Sequence, residues 1–96
     1  MQSAHAATVK HLRIIGFVQG VGFREAMRWK ADELGITGWV RNRSDGSVEA
    51  VIAGSAAAVQ RMIAWAQHGP AVARIDRVEV NDSDGEFTKF ERWPTH

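Results

Sequence analysis

A glycine-bearing stretch from Gly16 to Arg24, followed eighteen positions on by Asn42, carries the residue types needed to act on a phosphoryl group. The apolar run Val9 to Ile15 stops at this stretch, which reads Gly-Phe-Val-Gln-Gly-Val-Gly-Phe-Arg, and an apolar-periodic segment starts at Phe23. Glycine accepts positive φ, so backbone N–H groups in such a loop can turn inward and converge. A helix start adds unpaired N–H donors and the positive end of the helix dipole. Arg24 falls in that first turn, where its guanidinium fork matches the spacing of phosphate oxygens. Gln19, Gly20, Val21, Gly22, Phe23 and Arg24 therefore form a candidate cradle for a tetrahedral oxyanion.

Asn42 supplies an acceptor and a donor on one amide, suited to fixing the line of attack of a water. Whether it reaches the cradle is a matter of lengths. A helix from Arg24 to Gly35 advances roughly 16 Å at ~1.5 Å per residue. A strand from Ile36 to Asn42 returns by about 20 Å at ~3.3 Å per residue. The distances nearly cancel, which predicts that Asn42 ends beside the loop. Taken singly, Arg24 also fits a solvated helix position or a carboxylate partner, and Asn42 fits a strand-end turn.

No general acid accompanies this set: His5 and His96 lie near the ends, and His11 and His68 have no place in the cradle. An alkyl phosphate needs its poor leaving group protonated, whereas an acyl phosphate expels a carboxylate whose conjugate acid has a pKa of about 4. The residues thus point to hydrolysis of a mixed carboxylic–phosphoric anhydride.

The elements that must hold these groups follow from periodicity. Thr8 to Ile15 predicts a strand. Phe23, Ala26, Met27, Lys30, Ala31 and Leu34 recur at helical steps, and Gly35 stands where a C-terminal cap belongs. Ile36 to Arg43 and Ser47 to Ala53 predict strands joined by a Ser44-Asp45-Gly46 hairpin turn. Ser55 is placed to cap a second helix carrying Val59, Met62, Ile63 and Ala66, ended by Gly69-Pro70. Ile75 to Val80 alternates apart from Asp76-Arg77, and Phe87 to Trp93 predicts a last short strand after a polar turn. The order β-α-β-β-α-β, with a possible extra edge strand, predicts the α+β ferredoxin-like two-layer sandwich with two helices on one face of a mixed sheet. Residues 8–93 form the expected domain, with residues 1–7 and 94–96 as tails.

Composition narrows the functions available. The chain has 96 residues, 45% of them hydrophobic, so a single core is expected. Twelve basic against eleven acidic residues give no general case for nucleic acid. The absence of Cys removes thiolate ligands and nucleophiles, and no His/Asp/Glu spacing supports a metal, so no cofactor is expected. No apolar run approaches a membrane-spanning length, and a cytoplasmic monomer is the default expectation. Gly20-x-Gly22 lacks the third glycine of a dinucleotide fingerprint, and the P-loop ending is missing. Trp29, Trp39, Trp65 and Trp93 are expected to be packing residues, with Trp39 second in line to shape the site. Asp45 and Glu49 are read as turn and strand-surface residues.

Gly16-x-Val18-Gln19-Gly20-Val21-x-Phe23-Arg24, with Gly38-Trp39-Val40-Arg41-Asn42 and the turn before Ser47-Val48-Glu49-Ala50, resembles the acylphosphatase family over about Val9 to Arg92. The resemblance implies a ferredoxin-like fold and metal-independent hydrolysis of small acyl phosphates to a carboxylate and inorganic phosphate. It also implies a phosphate-binding role for Arg24 and the Gln19 to Arg24 amides, and a water-orienting role for Asn42. Three positions depart from the family pattern: Arg43 where relatives often have a hydroxyl residue, Arg43-Ser44 where others have Leu-Pro in the turn, and Arg92 where an apolar residue is common. Two rival readings stand beside it. A noncatalytic phosphate-binding module could use the same cradle, although a chain this short favours the free enzyme. An RNA module shares the element order but needs exposed aromatics on its central strands, and Ser47 to Ala53 has none.

Overall fold

The computed structural model describes residues 7–96; residues 1–6 of the expected tail at 1–7, with His5, lie outside them. The elements are β1 (Thr8–Phe17), α1 (Phe23–Leu34), β2 (Thr37–Asn42), β3 (Val48–Gly54), α2 (Ala56–Ala66), β4 (Arg74–Asp82) and β5 (Phe90–Trp93). The sheet order is β4-β1-β3-β2-β5. β1 and β2 both run antiparallel to β3, which separates them, so α1 serves as the crossover between two mutually parallel strands. β4 pairs antiparallel with β1 at one edge, and β5 pairs parallel with β2 at the other. The expected ferredoxin-like plan is present, with β5 as the extra edge strand.

Strand alternation divides the sheet into unlike faces. Leu12 and Ile14 of β1, Val40 of β2, and Val48, Ala50 and Ile52 of β3 pack into a core with Phe23, Met27 and Ala31 of α1 and Val59, Met62 and Ala66 of α2. Burying one such large side chain stabilises the fold by roughly 1.5–3 kcal/mol. The other face carries His11, Arg13, Trp39, Arg41 and Glu49 under no helix. The cross-strand partners Asn42 and Val48 close the β2–β3 ladder. Beyond them Gly46 N–H donates to the Arg43 carbonyl, and Asp45 accepts from the Ser47 amide and hydroxyl, as its turn reading requires.

α1 spans the predicted residues, and the Gly35 N–H closes its last turn on Ala31 and Asp32 carbonyls. Elsewhere the boundaries move for identifiable reasons. β1 runs on to Phe17, so Gly16 belongs to the sheet and not to the loop. A Cβ at Gly16 would lie 2.0 Å from the Arg74 carbonyl oxygen, and its φ of 147° suits glycine. That close approach, not an anion, accounts for this glycine. The register there passes from Ile15↔Arg77 to Gly16↔Ile75 and leaves Asp76 unpaired, which explains the broken alternation at Asp76-Arg77.

Trp29 departs from expectation: it is 66% exposed on α1 and packs no core. Trp65 does pack, with its ring 5.3 Å from that of Phe23. Trp39 and Trp93 stack at 4.3 Å on the helix-free face, with the Arg41 guanidinium 5.1 Å from the Trp39 ring. No helix among the described residues is long and apolar enough to cross a membrane.

Candidate active site

The loop between β1 and α1 is short, and its conformation depends on glycine. Gly20 and Gly22 have φ of 75° and 77°, and Gly22 is the N-cap of α1. It offers no side chain to the first amides of the helix, so those donors are not consumed by a cap. The neighbouring side chains face away from the loop. Val18 and Phe23 are buried and Val21 packs against the core, so Val21 and Phe23 can contribute only main-chain donors. The Gln19 amide donates to the Arg43 carbonyl at 2.7 Å and to the Ser47 carbonyl at 2.8 Å, fastening the loop to the β2–β3 turn.

Arg24 and Asn42, separated by α1 and β2, line one cavity together with Gly20 and Gly22. The length argument from the sequence is thus matched in space. The cavity holds about 120 Å³, well below the roughly 300 Å³ at which pockets enclose a whole drug-sized ligand. Its size is on the scale of a small oxyanion. Arg24 Nη1 donates to the Trp93 carbonyl at 3.3 Å. The carbonyl of Asn42 accepts from the His96 N–H at 3.0 Å, so the segment expected as a C-terminal tail returns to β2.

Val18, Glu25 and Arg92 also line the cavity and were not read as site residues. Arg92 Nη1 donates to Glu25 Oε1 at 2.8 Å, and Arg28 Nη2 donates to Glu25 Oε2 at 2.6 Å. Those hydrogen bonds, Arg28 first and then Arg92, hold the Glu25 carboxyl down to about 2. Glu25 is thereby occupied by other cations, and Arg24 beside it is not its partner. The local signal for this arrangement was the departure at Arg92; its carboxylate lies too far away in sequence for any periodicity to reveal.

A depression of about 440 Å³ on the helix-free face, lined by Arg13, Asp45, Arg77 and Glu79, is larger. Its charges pair with one another, Arg13 with Asp45 and Arg77 with Glu79, so they do not converge on a ligand. The small cavity, with a helix start, a guanidinium and an amide on its walls, has the better chemistry.

The acylphosphatase family profile matches residues 10–92. An acylphosphatase of Thiobacillus denitrificans is 54% identical over 82 residues, covering 85% of this chain and 92% of the relative. The solved acylphosphatase of Coxiella burnetii superposes with a TM-score of 0.88 at 36% identity, covering 92% of this chain and 94% of that one. Full-length HypF, solved in a phosphate- and nucleotide-bound form, superposes with a TM-score of 0.85 at 25% identity, covering 93% of this chain and 12% of HypF. With a family match across most of its length and relatives at this identity, the chain belongs to the acylphosphatase family, whose enzymes hydrolyse acyl phosphates.

Proposed function

We propose that Arg24 and the amides of Gln19 to Arg24 hold the phosphoryl group of a small acyl phosphate, and that Asn42 orients the water that attacks it. The observation that carries this reading is the meeting of Arg24, Asn42 and the loop glycines in one cavity of about 120 Å³. Water attacks phosphorus in line with the bond to the acyl oxygen. A new P–O bond forms, the acyl P–O bond breaks with its electron pair on the carboxylate, and the water's proton passes to phosphate or solvent. Arg24 and the loop donors offset charge on the equatorial oxygens, so positioning and electrostatics supply most of the acceleration. The leaving carboxylate needs no acid, and the donors already present need no metal. We infer a monomer that acts on a free small-molecule acyl phosphate. We further infer a cytoplasmic setting, and no nucleic-acid role, since twelve basic residues against eleven acidic ones leave no marked basic excess.

The test is hydrolysis of benzoyl phosphate in the presence of chelator, with Arg24→Ala and Asn42→Ala alongside. Turnover in the parent, lost in both folded variants, supports both roles; near-parental activity in either variant removes that residue from the mechanism. The likeness to a portion of HypF keeps a phosphate-binding module as a second reading. Protection from unfolding by phosphate, with no turnover at all, would favour it.

A further inference from the structure

Glu49 lies on the helix-free face of the sheet, opposite the cavity, yet its contacts converge on the strand end that carries Asn42. Strand alternation places Arg41 and Arg43 on that face and Asn42 on the other. Both arginines donate to the same oxygen: Arg41 Nε lies 2.8 Å and Arg43 Nη1 3.2 Å from Glu49 Oε1. The other oxygen, Oε2, is 2.6 Å from His11 Nε2 on β1. One carboxylate therefore pins the residues on both sides of Asn42 and ties them to β1, the strand that leads into the loop. The Gln19 amide adds a hold on the Arg43 carbonyl from the loop itself. The Arg41 guanidinium also lies 5.9 Å from the Trp93 ring, and the Trp93 carbonyl accepts from Arg24.

The Glu49 side chain is 17% exposed, so this is not the loosely solvated kind of surface pair that contributes little. We propose that Glu49 is a positioning residue for Asn42, fixing the backbone on either side of it so that its amide meets the attacking water at one angle. This rests on the water-orienting role given to Asn42 above. Glu49 lies on the face away from the cavity and acts through Arg41 and Arg43. A misplacement of about 1 Å at a positioning group costs on the order of 10²-fold in rate, which sets the scale of the effect.

A double-mutant cycle in kcat and KM with benzoyl phosphate separates positioning from general support. Glu49→Gln is expected to lower kcat by at least about tenfold while KM and inhibition by inorganic phosphate stay within about twofold. In the Asn42→Ala background the same change is expected to lower kcat no further, because the group it positions is gone. Unchanged kcat in Glu49→Gln, or an equal further loss on top of Asn42→Ala, would overturn the proposal. Should Glu49→Gln fail to fold, the cycle is run with Arg43→Gln, which releases one flank of Asn42 and leaves Glu49 with Arg41 and His11. Full kcat in Asn42→Ala alone would instead defeat the assignment of Asn42, and the role of Glu49 would fall with it.

Discussion

The two helices of this domain begin in opposite ways. α2 starts at Ser55, in an extended conformation, and the Ser55 hydroxyl accepts from the Ala58 amide at 3.1 Å. α1 starts at Gly22, in a left-handed conformation, with no side chain to cap it. Both starts carry the positive end of a helix dipole, but only α2 satisfies a first-turn donor internally. The α1 start lies on the wall of the cavity with Arg24 and Asn42. The α1 start thus combines open donors, a cation in its first turn and a strand, β2, that closes the space in front of it. The dipole alone does not distinguish the two.

The largest expected effect separates the cation from the dipole. Arg24→Ala should leave the melting temperature near parental while reducing kcat/KM by about 10²–10³. A folded variant that kept most of its activity would mean that the open helix start suffices. Phosphate at a hundred times its Kd should stabilise the parent by about 2.7 kcal/mol, and thermal melts of Arg24→Ala with and without phosphate should show much of that shift lost. Gly22→Ala examines the unusual start directly. No atom lies within 4 Å of the added Cβ, so the cost is the left-handed conformation, φ 77°, and roughly 1–2 kcal/mol of stability should be lost. Phosphate affinity should fall with it, as the first amides turn.

Ser55→Ala is the matching change at the other helix. It should cost about 1 kcal/mol in denaturant unfolding and leave kcat and phosphate binding unaltered. A change in activity there would show that α2 is coupled to the site after all. The smallest effect concerns Glu25 in the first turn of α1. Its carboxyl is depressed from 4.5 to about 2 by Arg28 and Arg92, so the folded state binds its proton less readily than the unfolded chain. The stability from this tie is full above about 4.5 and is lost as pH falls through about 2. Glu25→Gln should flatten that part of an acid-unfolding curve relative to the parent.

How much of this was legible in the sequence differs by region. α1 could be read to the residue because its apolar period and the glycines at both ends agree. The return of Asn42 to the loop followed from two element lengths. Trp29 was misjudged as a packing residue on hydrophobicity alone, although the helical period already sets it apart from Phe23, Met27 and Ala31. Glu49 was read as a strand-surface residue, and its place on the open face agrees, but its partners come from other strands, His11 from β1 and Arg41 and Arg43 from the end of β2. Glu25 and Arg92 meet only because β5 pairs parallel with β2, a non-local choice without a local signal. Gly16 looked like part of the loop because a glycine needed for close strand approach and one needed for a turn are the same letter.

The interlocking order of the sheet has a consequence for how the site comes into being. The loop hangs from β1, whose end at Phe17 pairs with Arg74 of β4, while the walls of the cavity come from α1, β2 and β5. The contiguous stretch Gln19 to Arg24 carries the cradle, but Asn42 and Arg92 reach it only through β2 and β5. Contacts this distant in sequence are closed slowly in folding, so a chain that has formed its helices and the β2–β3 hairpin still lacks the closed cavity. Phosphate should therefore bind the finished fold more tightly than its precursors, which makes the anion a reporter of complete folding as well as a product of the enzyme.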